Sequence, residues 1–200
     1  MLENRRVLLL TDGRLGVFTS KTATCILRYR PGDVVALLDR RHAGRDPAEI
    51  VGVGAGIPIV ASVEEALPYE PRTLLIGIAP PGGALPDAWR GFIREAISHG
   101  LDIVSGLHLM LSDDPELGPL ARCHGVSIHD VRRPPDDIPL GANLARTLPC
   151  LRVLVVGSDC NCGKMVTAYE LAAALARRGH KARFIATGQT GIMLLSLIHI

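Results

Sequence analysis

The sequence predicts an α/β protein built on a parallel sheet with helices on both faces. Short apolar runs of β type alternate with helix-like segments along the chain, a pattern typical of strand–helix–strand units. The 200 residues are 48% hydrophobic but only 4% aromatic, and they include 21 glycines and 14 prolines. This composition indicates an aliphatic core and many tight loops, as in layered α/β proteins.

Six apolar runs in the first part of the chain predict strands, because each is short and is followed by turn or helix signals. They are residues 6–12, 33–40, 56–62, 72–80, 101–107 and 126–133.

Helices are predicted between these strands, at residues 20–29, 62–67, 87–100 and 113–125, the last as a loop and helix. Ser20 is the predicted N-cap of the first helix. Ser62 and Glu65 have the spacing of a capping box. Gly100 is placed to end the third helix.

Ligands on parallel α/β sheets bind beyond the carboxyl ends of the strands. Here those ends read "TDGRLG", "LDRRHAG", "IAPPGG" and "SGLH", all polar or rich in glycine. None of them is the G-x-G-x-x-G fingerprint of a dinucleotide site. The sequence therefore predicts a ligand cleft at this edge without naming its ligand.

Charge and composition exclude several classes of partner. The net charge of +2 is too small to indicate nucleic acid binding. No apolar run approaches the roughly 20 residues that span a bilayer, and the N-terminus lacks a signal-peptide core. We expect a cytoplasmic protein with a small-molecule substrate, and homo-oligomerisation stays open.

The five cysteines show no disulfide framework. Cys160 and Cys162 form a C-x-C pair, but no second Cys/His pair stands at zinc-site spacing. We therefore predict no metal site, and interpret these thiols as small side chains in a tight loop.

A second α/β unit begins after a Pro-rich and charged linker at 132–148. We therefore place an N-terminal domain at 1–148 and the start of another domain at 149–200. The second unit is predicted as a strand from 151, a helix over 163–179 and a strand over 180–188.

Between the first strand and the helix lies "GSDCNCGKMVT" (157–167), which predicts a phosphate-binding loop. In such loops glycines let backbone N–H groups approach a phosphate at a helix N-terminus, and a lysine reaches its oxygens. Lys164 occupies that position. Met165 stands where a hydroxyl would bind Mg²⁺, so the loop predicts phosphate binding without establishing ATP hydrolysis.

Two long motifs, "GSDCNCGKMVTAYEL" and "FIATGQTGIM", resemble the DgcN-like family, and "SKTATCILRY", "LIGIAPPGG", "IVSGLH" and "HDVRRPP" follow in the family's order. The resemblance covers roughly residues 6 to 193. It implies a Rossmann-like N-terminal domain followed by a P-loop NTPase-like domain. It also implies N-acetylation of D-glutamate, with acetyl-CoA as the group bound by the loop.

The family match assigns cofactor-binding residues to two loops. They are Gly157, Ser158, Asp159, Cys160, Asn161, Gly163, Lys164, Met165 and Thr167, and then Gly188, Gln189, Thr190 and Gly191. Lys21 and Thr22 correspond to an N-terminal motif, and we assign Lys21 to the substrate. Cys162 stands where the family more often has an aliphatic residue.

Acetyl transfer to an amine needs a base and cations for the substrate carboxylates. His108, at the end of "SGLH", is the candidate base, and Asp159 is a second candidate catalytic group. Arg132 and Arg133 are candidates for pairing with carboxylates.

Two alternatives stay open from the sequence. The five residues between Gly157 and Gly163 also resemble the loop of dethiobiotin synthetases, which favours an ATP- and Mg²⁺-dependent ligase or kinase. A nucleotide-binding module without chemistry is the third interpretation.

The end of the chain predicts a C-terminally truncated family member. A P-loop domain needs several more parallel strands than the two found here, and "LLSLIHI" (194–200) carries no turn signal. We expect an intact N-terminal domain joined to roughly the first third of a P-loop domain. Alone, it should be inactive and prone to aggregation, whereas residues 1–148 should be soluble.

Overall fold

The structure is a computed structural model that describes residues 6–78, 80, 85–134, 144–159 and 162–199. Contacts divide the chain into two compact units, the first comprising Met1–Arg132 with Gly188–Ile200 and the second Arg133–Thr187. The domain boundary near residue 148 stays a prediction. The contact division adds that the chain returns to the first unit at Gly188.

A six-stranded sheet forms the centre of the first unit. Its strands are β1 (Val7–Leu10), β2 (Val34–Leu38), β3 (Ile59–Val60), β4 (Thr73–Ile76), β5 (Asp102–Ser105) and β6 (Ile128–Asp130). They lie in the order β3-β2-β1-β4-β5-β6, and every neighbouring pair is parallel. The predicted parallel α/β fold is confirmed, and each of the six predicted runs contains one strand.

The helices of the first unit connect these strands, except for the last one, which follows the second unit. They are α1 (Lys21–Tyr29), α2 (Pro47–Val51), α3 (Val63–Ala66), α4 (Asp87–Ser98), α5 (Leu117–His124) and α7 (Gln189–His199). The sequence analysis did not include α2. Its start signal is nevertheless present, because Asp46 accepts a hydrogen bond from the Ala48 amide at 2.8 Å and Pro47 occupies the first helical position.

The helix caps follow the predictions in part. Ser62 accepts from the Glu65 amide at 3.1 Å, while the Glu65 carboxylate accepts from the Ala61 amide, one residue before the position that a capping box uses. Ser20 precedes α1 as predicted, but its hydroxyl donates to the Gly16 carbonyl instead of capping the helix. Ser20 therefore shapes the loop that leads into α1.

The core is aliphatic, as the composition predicts. Every residue of β1 is fully buried, because β1 lies inside the sheet and both of its faces are covered. Leu8 and Leu10 belong to one cluster with Trp89 and Ile93 of α4. Burial of each such side chain stabilises the fold by roughly 1.5–3 kcal/mol.

The second unit contains helix α6 (Lys164–Arg177), close to its predicted bounds. Tyr169 of this helix makes an edge-on contact with Phe184, with ring centroids 5.7 Å apart. Strands were expected at 151–159 and 180–188. The structure assigns none to the described residues there, because neither stretch is hydrogen-bonded to a neighbouring strand. None of the helices in the described residues has the length and apolar character needed to span a bilayer.

Candidate functional site

Loops that follow β1, β4 and β5 meet at the carboxyl edge of the sheet. The helix α1 begins there, and the amide of Ala23 in its first turn donates to the carbonyl of Gly77, directly after β4, at 2.9 Å. A methyl group on Gly77 would lie 3.0 Å from the Ala23 Cβ, so glycine allows this close approach. The start of α1 is thereby fixed against the end of β4.

The N-terminal end of α7 packs into the same edge, beside Gly106. A methyl group on Gly106 would lie 2.3 Å from Gln189 Oε1 and 2.8 Å from Met193 Cε, so glycine lets these two side chains of α7 lie against the backbone. The hydroxyls of Thr22 and Thr190 lie 2.8 Å apart, and both residues are buried. The GQTG segment is therefore part of the carboxyl-edge site of the first unit.

Arg132 reaches this edge from the end of β6. Its Nε donates to the carbonyl of Gly106 at 2.7 Å. His108 lies two residues beyond Gly106 and is exposed, whereas Lys21, the first residue of α1, is half-buried. The fold thus brings three of the predicted substrate and catalytic residues to one edge of the sheet. Arg133 and Asp159, the other two, belong to the second unit.

At the end of β2, Asp39 is fully buried and organises the adjacent loops. Its Oδ2 accepts from the Thr11 hydroxyl at 3.0 Å and the Leu15 amide at 3.3 Å. Its Oδ1 accepts from the Arg41 amide at 3.1 Å and lies 3.0 Å from His42 Nδ1. In dinucleotide-binding sheets an acidic residue near this position binds a ribose. Here both Asp39 oxygens accept hydrogen bonds from the adjacent loops instead.

Asp12 and Arg40 form a two-bonded ion pair beside these loops. Arg40 Nε and one terminal nitrogen donate to the two Asp12 oxygens at 2.9 and 2.7 Å. Burial alone would raise the pKa of Asp12, but the hydrogen bonds and charge of Arg40 outweigh it and hold that pKa below its ordinary value. This side of the edge is occupied by internal contacts.

In the second unit the predicted phosphate loop leads into α6. Gly163 has φ 92°, a left-handed conformation that favours glycine, and it directly precedes the helix. A methyl group on Gly157 would lie 2.5 Å from Cys162 Sγ and 3.1 Å from Lys164 Cγ. The backbone conformation therefore favours glycine at 163, and Gly157 lets the Cys162 and Lys164 side chains lie close to the backbone.

The Lys164 ammonium folds back across the loop. It donates to the Asp159 carbonyl and lies 3.4 Å from Cys162 Sγ. Backbone hydrogen bonding at Asp159 and the ammonium of Lys164 lower the pKa of the Cys162 thiol. The lysine thus interacts with electron-rich atoms of its own loop.

The other predicted loop residues fall around this lysine. Ser158 and Thr167 are exposed, and Met165 is half-buried in the first turn of α6. Cys160 and Asn161 lie outside the described residues. In the first unit, Gly188 is exposed and Gly191 is buried, and the Gly188 carbonyl accepts from the Ile192 amide at 3.0 Å.

The fold also creates a cluster that the sequence analysis missed. Glu64, Glu95 and His99 offer ligand atoms within 4.8 Å of one another, and their only sequence signal is the i, i+4 spacing of Glu95 and His99. Burial and the Glu64 carboxyl raise the pKa of Glu95. The Glu95 carboxyl therefore keeps its proton to a higher pH than an isolated carboxyl.

Fold and loop together define the class of protein: a Rossmann-like parallel sheet joined to a unit with a candidate phosphate loop. Comparison with family models agrees. The Rossmann-like domain of unknown function DUF1611_N matches residues 40–134, and the P-loop domain of unknown function DUF1611_C matches residues 139–199. The chain belongs to the DUF1611 family, and the predicted family resemblance is confirmed.

Known proteins are similar to two thirds or more of the chain. A crystal structure of a DUF1611 family protein from Anabaena variabilis is 44% identical with a TM-score of 0.90, covering 96% of this chain and 56% of that one. A Tritonibacter scottomollicae protein named D-glutamate N-acetyltransferase is 35% identical over 97% of this chain and 55% of its own length. A Pseudoalteromonas protein of the same name is 38% identical over 66% of this chain and 40% of its own. The chain thus spans about half the length of these relatives or less.

Proposed function

We propose that the protein is an N-acetyltransferase that moves the acetyl group of acetyl-CoA onto D-glutamate or a similar acidic D-amino acid. Two curated relatives named D-glutamate N-acetyltransferase, at 35% and 38% identity, support the reaction. The structural observation that supports it is the lysine-bearing loop at the start of α6. Because the chain spans only part of these relatives, the activity of the whole protein is itself part of the proposal.

The phosphate loop fits CoA on chemical grounds. CoA carries a pyrophosphate and a ribose phosphate, which backbone amides at the start of α6 and the Lys164 ammonium can bind without a metal ion. Mg²⁺ prefers oxygen ligands, and the Met165 thioether is a poor one. This residue therefore disfavours the alternative of an ATP- and Mg²⁺-dependent ligase or kinase.

The carboxyl edge of the first unit fits the amino acid. Arg132 is anchored through Nε, and its planar guanidinium suits a carboxylate. Lys21 supplies a second cation at the start of α1. Exposed His108, close to Gly106, is the proposed base.

Acetyl transfer requires the amino group of the substrate to lose two protons in total. The ammonium group of the amino acid first loses a proton to His108, which frees the nitrogen lone pair. A bond forms from nitrogen to the acetyl carbonyl carbon, and the carbon–sulfur bond breaks. The nitrogen loses a second proton, so that one proton ends on the CoA sulfur and the other reaches solvent.

Isothermal titration calorimetry tests the proposal with CoA, acetyl-CoA and Mg·ATP as separate ligands. Binding is the primary measurement because it does not require turnover. We expect CoA and acetyl-CoA to bind and Mg·ATP to bind more weakly. Tight binding of Mg·ATP without binding of CoA would contradict the proposal.

Turnover is measured by the release of the CoA thiol from acetyl-CoA. In a full-length member of the family we expect release that depends on D-glutamate, and little release with L-glutamate. Equal rates for the two enantiomers would reject the stereochemical part of the proposal.

A further inference from the structure

Gln189 lies at the carboxyl edge and carries an unpaired side-chain oxygen. Its Oε1 is buried and has no hydrogen-bond partner among the described residues. The contact with Gly106 holds its side chain at the end of β5, within the edge where parallel sheets bind ligands. Buried acceptors are normally paired, so Oε1 calls for a donor beyond those that the described residues supply.

We propose that Gln189 binds the amino group of the acceptor amino acid, through a hydrogen bond from the substrate N–H to Oε1. This inference rests on the proposed function and deepens it. It assigns the GQTG segment to the amino acid, whereas the family match associates that segment with the cofactor.

The chemistry of the two ligands separates these assignments. An amine or ammonium group offers only N–H donors to a protein acceptor, which matches an amide oxygen. Phosphate oxygens are acceptors and need donors instead. An unpaired amide oxygen therefore fits the amine better than it fits CoA phosphates.

Gly106 places the amine next to a carboxylate site. Its carbonyl holds Arg132 at 2.7 Å, while its Cα lies against Gln189. An α-amino acid carries its amino and carboxylate groups on one carbon, so neighbouring acceptor and cation recognise both. Gln189 would then hold one N–H of the amine while Arg132 holds the carboxylate.

The test compares D-glutamate with glutarate, the same dicarboxylate without the amino group. Calorimetry with each ligand is run on the wild-type chain and on Gln189→Leu and Gln189→Glu variants. We expect Gln189→Leu to weaken D-glutamate binding about tenfold or more, since a hydrogen bond to a charged group is lost. Glutarate and CoA should each bind the wild type and Gln189→Leu with equal affinity. Gln189→Glu keeps an acceptor and should retain D-glutamate binding far better than Gln189→Leu.

The outcomes separate the inference from the proposed function. If D-glutamate binds the wild type and Gln189→Leu equally, the inference is overturned and the proposed function stands. If Gln189→Leu loses affinity for CoA but keeps its affinity for D-glutamate, the inference is overturned and the GQTG segment binds the cofactor. Failure of the wild type to bind D-glutamate would overturn both. Unchanged melting temperatures show that α7 stays docked in the variants.

Discussion

Replacing Lys164 by alanine tests the phosphate loop directly. The ammonium of Lys164 would form a charged hydrogen bond with a phosphate, worth about 1.5–3 kcal/mol. In the free loop it already donates to the Asp159 carbonyl. Binding therefore exchanges one partner for another, and the net contribution belongs in the lower part of that range. We expect Lys164→Ala to weaken CoA binding about 10- to 30-fold.

The assay is calorimetric titration with CoA, and the chain offers a matched control. Lys181 lies in the same unit and is exposed. Lys181→Ala removes the same charge from the unit and leaves the loop unchanged. The affinity of this variant for CoA should therefore match that of the wild type. Both variants should keep the wild-type melting temperature.

Two results would refute the reasoning. Unchanged CoA affinity in Lys164→Ala would mean that the loop is only a turn. Equal losses in Lys164→Ala and Lys181→Ala would mean that net charge attracts CoA, with no specific site at the start of α6. An increase in salt separates these cases further, because screening weakens a diffuse attraction more than a direct contact.

Further predictions concern stability and thiol chemistry. Asp114→Asn should lower the free energy of unfolding at pH 7 by about 2–3 kcal/mol, because Arg90 donates to both Asp114 oxygens at 2.9 and 2.7 Å. The hydrogen bonds from Arg90 hold the pKa of Asp114 below its ordinary value, so the wild type loses this stability as pH falls below about 4. Urea unfolding should show the wild type and Asp114→Asn becoming more similar in free energy of unfolding below that pH. Iodoacetamide should label Cys162 before Cys25, because the Cys25 thiol is buried and has a raised pKa. Peptide mapping by mass spectrometry measures the two labelling rates, and equal rates would contradict this prediction. Asp39→Ala should destabilise the protein by about 3 kcal/mol in thermal unfolding, since it leaves buried donors unpaired, and a loss below about 1 kcal/mol would reject its role in the loops.

The strands of the first unit were predictable because each is a short aliphatic run between turn signals. The signal in "VLLL" is local: a strand buried on both faces needs apolar residues at every position. The same signal in "LRVLVV" does not produce an assigned strand. A strand also requires a hydrogen-bonded neighbour, and Leu151 and Leu154 remain 91% and 84% exposed. Hydrophobic pattern therefore predicts a strand only where pairing is available.

Site residues divide in a similar way. The candidate phosphate loop is contiguous in sequence, so Gly157 and Lys164 could be proposed from spacing alone. The carboxyl-edge site is assembled from distant segments, and Gly106 meets Gln189 across 83 positions of the printed sequence. Nothing in either local stretch signals that contact. Only the strand order and the return of the chain at Gly188 bring them together.

The contacts at Gly106 also bear on how such proteins can exchange parts. The chain leaves the first unit after Arg132, which is bonded to the Gly106 carbonyl, and re-enters at Gly188, beside the residue that packs on the Gly106 Cα. Exit and re-entry are thus fixed at one place. A segment joined to its host at two adjacent points can be lengthened, shortened or replaced without stretching the host, which is the condition for a tolerated domain insertion. Both ends of the 133–187 segment are therefore tied to the first unit at the same glycine.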